Sequence, residues 1–259
     1  MPVSKTRNRH PGSPPLSLRR FFAPPENFQR GLVRLDSQQT HHLVRVLRLT
    51  VADRVVVSDG RGRGWEAVVD SLGPGGAILK VVREVAPWGE SSLELVLGIG
   101  LAKGEAMDTV IRQATEMGVK RILSLVTERC ERMTAGRAAR RQARWQRLAQ
   151  ESLKSCQRSN LPEIDLPQEF AAALAGPEEA KLIFWEEERG GGLNTCLGRP
   201  RPAGVRILIG PEGGFSAREV AQAGEAGYEA VSLGPRRLKV ETAALAALTL
   251  VQYAWGDLA

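Results

Sequence analysis

The chain has 259 residues, 42% of them hydrophobic and 25% charged, with a formal net charge of +7. That is the composition of a folded globular protein of one large domain or two smaller ones, and it excludes a fibrous or disordered chain. No apolar run approaches the roughly 18–20 residues that span a bilayer, so no membrane partner is expected.

The excess of cations favours a polyanionic partner, most simply nucleic acid, although arginine-rich compositions also carry such charge without one. The three cysteines, Cys130, Cys156 and Cys196, are widely spaced and form no CxxC pair. A disulfide framework or zinc site is therefore not expected, and a reducing cytoplasmic compartment is. His41 and His42 have no third ligand nearby, so no metal is expected; the pair reads as plain surface or as an RNA-facing pair.

Residues 1–18 are basic, rich in proline and free of acid. They lack the apolar core of a signal peptide and read as a disordered arm. Residues 19–86 have the texture of short strands with one short helix. Residues 40–47 form the helical turn, with Leu43, Val46 and Leu47 on one face. Strands follow at 54–58, 65–70 and 77–85, the first two separated by the turn Asp59-Gly60-Arg61-Gly62. Such a run of short strands suggests a small barrel. Pro87-Trp88-Gly89 breaks the pattern and is the expected linker.

From residue 90 the rhythm becomes strand, helix, strand. Residues 93–99 read as a buried strand and 103–118 as an amphipathic helix. Met107, Val110, Ile111, Ala114 and Met117 share one face of it, and Gly118 supplies the stop. The next strand is 121–127. This βαβ unit implies a parallel sheet with helices on both faces. Residues 138–157 form a long helix. Arg137, Arg140, Arg144, Arg147, Lys154 and Arg158, with Glu151 completing the series, advance along it in steps of three or four that place an almost single-signed cationic stripe on one face, while Trp145, Ala149, Leu153 and Cys156 lie on another. The stripe reads as phosphate contact or as a solvated face. Residues 163–166 are expected to be extended, 181–185 a strand, and Gly190–Gly192 a flexible loop.

Two segments near the C-terminus share one form. In ILIGPEGGFSAREV and VSLGPRRLKVETAALAAL a β-rich run breaks at Gly-Pro and a helix follows. Strand, glycine loop, helix presents bare backbone amides to a ligand, or simply makes a structural turn. Ser216 and Glu219 have the spacing of a capping box, and Gly227 ends that helix. The second helix, from about Thr242, is apolar on nearly all sides and belongs in a core or a dimer interface. GPEGGF is neither a Walker loop nor a dinucleotide fingerprint, because the Gly-Lys-Ser/Thr and the GxGxxG spacing are both missing.

These two segments closely resemble the C-terminal half of the bacterial 16S ribosomal RNA uracil-N3 methyltransferases (the RsmE type) of the SPOUT superfamily. KGEAMDTVIRQATEMGVKRILSLVTERC resembles the family's first βαβ segment and RWQRLAQESLKSCQRSNLPEI its central basic helix. RRFFAP, HHLVRVLRL and the Asp59-Gly60 turn resemble its N-terminal barrel. The sequence departs from the pattern at Lys154-Ser155-Cys156 and at Lys239, where lysine keeps an arginine's charge but loses its bidentate fork.

The resemblance implies an α/β fold. A PUA-like RNA-binding barrel would occupy residues 19–86, and a SPOUT domain with a parallel sheet and a trefoil knot residues 90–259. It implies S-adenosyl-L-methionine as cofactor, a homodimer, and 16S ribosomal RNA in the 30S subunit as partner. The cofactor would lie among Trp185, Glu186, Ile209, Gly210, Pro211, Glu212, Gly213, Leu233, Gly234 and Leu238. Arg236, Lys239 and Arg158 are the candidates to stabilise a uracil anion. Glu241 would orient an arginine or accept a proton, or else serve only as a helix N-terminal carboxylate. Arg19, Arg20, His42, Arg45, Arg48, Arg137, Arg140, Arg144 and Arg147 would contact RNA. Two rival activities are ribose 2′-O methylation by a related knotted enzyme and a non-catalytic role in ribosome assembly.

Overall fold

The computed structural model describes residues 18–189 and 193–258. The arm expected at 1–18, except its last residue, and the loop expected at Gly190–Gly192 lie outside them. Contacts divide the chain into one unit of Met1–Glu90 with Leu153–Asn160 and another of Ser91–Ser152 with Leu161–Ala259.

The first unit is built on β1 (Arg19–Phe22), β2 (Phe28–Gln29), β3 (Leu32–Arg34), β4 (Arg54–Ser58), β5 (Gly64–Gly73) and β6 (Gly76–Val85). They form one sheet in the order β1-β4-β5-β6-β3-β2. The run RVVVS of β4 is apolar on both faces because both are covered. Val55 and Val57 join a core with Phe21, Val33, Leu43, Val69 and Leu79. Val56 packs with Val85 and Trp88 on the other side. The hairpin expected around Asp59-Gly60 is present. Asp59 Oδ1 accepts hydrogen bonds from the N–H groups of Arg61 and Arg63, and β4 and β5 pair antiparallel across it.

The helical turn departs from its expected pattern. After α1 (Ser37–His41), residues His42–Val46 wind as a π-helix, and Leu47 N–H donates to His42 O at 2.9 Å. A wider turn breaks the three-and-four spacing of one apolar face. Leu43 is buried, but Val46, expected beside it, is 58% exposed.

The expected linker is not a free tether. Trp88 is buried, its N–H is within 3.4 Å of Ser159 Oγ, and the Ser159 hydroxyl donates to Trp88 O. Glu90 receives Arg158 Nη2–H at 2.9 Å and the N–H groups of Ser159 and Asn160 at 2.9 and 2.8 Å. A carboxylate so surrounded fastens residues 153–160 to the chain leaving β6.

The second unit has a parallel sheet in the order β10-β8-β7-β12-β11-β13, with β9 beside β8. In chain order its elements are β7 (Glu94–Gly100), α2 (Ala106–Glu116), β8 (Arg121–Val126), α3 (Ala135–Cys156), β9 (Glu163–Ile164), β10 (Gln168–Glu169), α4 (Phe170–Ala173), β11 (Ala180–Phe184), α5 (Leu193–Leu197), β12 (Gly204–Ile209), α6 (Ala217–Glu225), β13 (Glu229–Val231) and α7 (Val240–Trp255). A strand covered on both faces reads as continuously apolar, and every residue of β12 is buried. Val205, Ile207 and Ile209 face a core shared with α2, α3 and α7. Leu208 faces Phe170, Phe215 and Tyr228 beside α4 and α6.

Arg206, the charged residue of β12, is buried and ion-paired to Glu178 at 2.9 Å, and it donates to Ala173 O at 2.6 Å. Tyr228 donates its hydroxyl to Leu174 O, and burial pushes that phenol up to about 12. On α2 the expected apolar face is buried through Ala114, with Met117 half-buried at its end. Gly118 follows at φ +82°, where a side chain would meet Gln252 Nε2 at 2.8 Å. The capping box of α6 is complete: Ser216 Oγ accepts from Glu219 N–H, and Glu219 Oε2 accepts from Ser216 N–H.

Candidate functional site

Because the strands are parallel, β11, β12 and β13 all release their following loops at one edge of the sheet. In open α/β sheets that edge is where ligands bind. Trp185 and Glu186 leave β11, residues 210–216 leave β12, and residues 232–239 leave β13 before α7 begins. The first loop is tied to the end of β13, where the third loop begins, by the N–H of Trp185, which donates to Val231 O at 3.0 Å. Together they line a cavity of about 580 Å³.

Hydrogen bonds hold each loop in shape. Gly214 N–H donates to Pro211 O at 2.9 Å and closes a turn. Gly214 has φ +67°, and a Cβ there would come within 2.3 Å of Glu186 Oε1. Glu212 Oε1 accepts from the N–H of Lys103 at 2.7 Å, which ties the β12 loop to the approach of α2. Ser232 Oγ accepts from Gly234 N–H at 3.2 Å. A serine hydroxyl bonded two residues ahead is a local turn former.

All ten cofactor candidates line this one cavity: Trp185, Glu186, Ile209, Gly210, Pro211, Glu212, Gly213, Leu233, Gly234 and Leu238. Arg236, Lys239 and Glu241 line it too. The chain positions carboxylates (Glu186, Glu212, Glu241) and cations (Arg236, Arg237, Lys239) around an apolar wall of Ile209, Leu233 and Leu238. Arg158 is not brought there. Its side chain is 2% exposed and paired with Glu90 in the other unit. Sequence reasoning missed Ala106, Phe184, Ser232, Arg237, Val240 and Ala243, which also line the cavity. Arg237 was detectable as the second arginine of GPRRL. Ala106 was not, because only the fold brings the start of α2 to this edge.

The RNA candidates fall into groups. Arg19, His42, Arg45 and Arg48 are exposed on the first unit. Arg20 is half-buried, with its guanidinium 5.7 Å from the Trp88 ring, and burial lowers its pKa. Burial and the charges of Lys154, Arg19 and His41 lower the pKa of His42. The stripe on α3 is less single-signed than its sequence. Arg137 pairs with Glu131, and Arg144 with Asp108, while Arg140 and Arg147 are exposed. Among the described residues, no group of three or more His, Cys, Asp or Glu side chains is placed to hold a metal.

Comparison with known proteins identifies the family. Residues 89–252 match a family model described as an RNA methyltransferase domain, and residues 35–82 match an RNA methyltransferase PUA domain. The chain is 33% identical to ribosomal RNA small subunit methyltransferase E of Synechocystis over 90% of its own length and 76% of the relative's. It belongs to the ribosomal RNA small subunit methyltransferase E family.

Two solved structures share its fold closely. Methyltransferase E of Neisseria gonorrhoeae, bound to S-adenosylmethionine, has 32% identity and a TM-score of 0.82 over 93% of this chain and all of that one. A methyltransferase of Legionella pneumophila, also with bound cofactor, has 29% identity and a TM-score of 0.83 over 93% and 99%. As a member of the methyltransferase E family, the chain is a ribosomal RNA methyltransferase, with a PUA-like N-terminal domain and a parallel α/β methyltransferase domain.

Proposed function

We propose that the chain transfers a methyl group from S-adenosyl-L-methionine to N3 of a specific uridine in 16S ribosomal RNA, on the assembled 30S subunit, as a cytoplasmic homodimer. Residues 19–86 serve RNA binding, and residues 90–259 form a knotted catalytic domain. The observation that carries the reading is the convergence of three sequence-distant loops on one cavity, with the cations Arg236, Arg237 and Lys239 beside its apolar wall.

The cavity fits the cofactor. Its volume of about 580 Å³ lies within the range of roughly 300–1,000 Å³ typical of small-molecule sites. Ile209, Leu233 and Leu238 suit a flat adenine, and the glycine backbone suits recognition of its edge. Glu186 and Glu212 supply negative charge for an ammonium and a sulfonium. When bound, the cofactor supplies an electrophilic methyl group.

The chain's own residues must hold the uracil in line and help it lose its N3 proton. Arg236 and Lys239, exposed along the cavity, stabilise negative charge spreading onto the uracil carbonyl oxygens. Glu241 orients one of those cations or accepts the proton. The base must be unstacked to expose N3. The homodimer is supported by α7, which leaves Leu250 and Tyr253 exposed opposite its buried face. After the third loop, α7 returns to pack on α2 and β12.

The test is incubation with labelled cofactor and 30S subunits from cells lacking the activity, followed by digestion to nucleosides. Labelled 3-methyluridine is expected. A ribose-methylated product would move the assignment to another position, and absence of both label and cofactor binding would leave an assembly role.

A further inference from the structure

We infer that Arg129 is a positioning residue that sets the shape of the cofactor loop, an inference resting on the reading of the cavity as an S-adenosylmethionine site. Arg129 lies just after β8, outside the cavity lining. Its Nη1 donates to Gly213 O at 2.8 Å and reaches Phe215 O at 3.4 Å. The contact is close along the whole side chain: a Cβ on Gly213 would come within 2.9 Å of Arg129 Cβ and 3.3 Å of its Cδ. Gly213 therefore has two uses here. It lines the cavity with backbone alone, and it lets the arginine lie against the loop.

The arginine is itself held from behind. Glu128 N–H donates to Glu219 Oε1 at 2.9 Å, and the same carboxylate closes the capping box of α6. The Glu128 carboxylate pairs with Arg218 at 2.6 Å, and hydrogen bonding to that arginine lowers its pKa. Thr127 N–H lies 3.2 Å from Cys130 Sγ and closes the turn that carries Arg129. One end of the brace is thus the first turn of α6, and the other is the two carbonyls that flank Gly214.

This geometry has a consequence for ligand binding. The Gly213-Gly214 pair is free to adopt many backbone conformations, and ordering it on binding costs conformational entropy. A guanidinium shared by two carbonyls selects one conformation beforehand, which is preorganisation. The arginine side chain is exposed, so its loss removes loop order rather than core packing.

The test uses the full-length protein as wild type, Arg129→Met and Arg129→Lys. Without cofactor, amide hydrogen exchange over residues 210–216 is expected to accelerate in Arg129→Met while exchange in β12 stays as in wild type. Calorimetric titration with S-adenosylmethionine is expected to give roughly tenfold weaker binding in Arg129→Met, the worth of one charged hydrogen bond. Arg129→Lys should lie between the two, since an ammonium reaches one carbonyl but not both. KM for the cofactor should rise while kcat stays within about twofold.

Unchanged loop exchange together with unchanged affinity in a folded Arg129→Met protein overturns the inference. So does a loss of thermal stability with cofactor affinity intact, which is the mark of a merely structural role. Failure of the wild type to bind the cofactor overturns the reading of the cavity instead, and the exchange comparison then still decides whether the brace exists.

Discussion

Gly214 shows how much a single backbone position in this site constrains. Its φ of +67° and the 2.3 Å approach of a built Cβ to Glu186 Oε1 exclude a side chain twice over. Gly214→Ala should strain the loop by about 1–3 kcal/mol and push Glu186 out of place. The measurable outcome is a smaller rise in thermal midpoint on adding S-adenosylmethionine, relative to wild type; an equal rise would sink the idea.

His42 makes a second prediction, in pH. Burial first, then the charges of Lys154, Arg19 and His41, hold its pKa below the ordinary 6.5. The folded protein therefore binds fewer protons than the unfolded chain in the window just below 6.5. The stability this group contributes is complete above 6.5 and is lost as pH falls through the depressed value. A polyanion docked on those cations cancels their repulsion and raises the pKa again. RNA affinity should then increase as pH falls from about 7.5 to 5.5, and His42→Gln should flatten that slope in an anisotropy titration.

The glycine loops were legible as sequence because positive φ and close approach leave glycine as a residue type, whatever lies around them. The roles of Lys103 and Arg129 were not legible, since their partners lie 109 and 84 residues away.

Elements were read well where a local rule decides them. The capping box of α6 is a three-residue pattern and stands as expected. The apolar stripe of α2 likewise follows from periodicity, and the strands β4 and β6 from β-branched runs bounded by turn signals. Two expectations failed, one on a local change of helix winding and one on a distant partner. The π-helical turn at His42–Val46 shifts Val46 outward. Arg158 reads in sequence as the end of a cationic stripe, yet its partner Glu90 lies 68 residues away and both side chains are withdrawn from water, at 2% and 12% exposure.

Removing one partner of such a pair strands the other. Arg158→Met should destabilise the first unit by about 3 kcal/mol, at the low end for buried pairs because the Ser159 and Asn160 N–H groups still serve Glu90. Urea denaturation measures the loss. Affinity for S-adenosylmethionine in the folded protein should not change, because Arg158 does not line the cavity; a selective loss of that affinity with normal stability would restore a role at the site.

At the scale of the whole molecule, one helix runs from the cavity wall to an exposed apolar face. The N-terminal turn of α7 supplies Val240, Glu241 and Ala243 to the cavity wall. Further along, Ala244, Ala247, Leu248, Val251 and Trp255 are buried within its own unit, while Leu250 is 37% and Tyr253 64% exposed. Both lie on the side turned from the core. Exposed apolar residues on an otherwise packed helix suit a twofold, self-complementary contact.

The sequence showed that this helix is apolar nearly all round, but only the fold shows which side remains uncovered. If that side is the dimer seam, the wild type should sediment at twice its 28.2 kDa mass. A Leu250→Glu, Tyr253→Glu double variant should sediment as a monomer, because each charge would have to be buried without a partner. Methylation should fall with dimer content, while far-ultraviolet circular dichroism stays that of the wild type, since neither side chain supports the core. A wild type that is monomeric and fully active would remove the dimer from the account, and an intact dimer in the double variant would place the seam on another face.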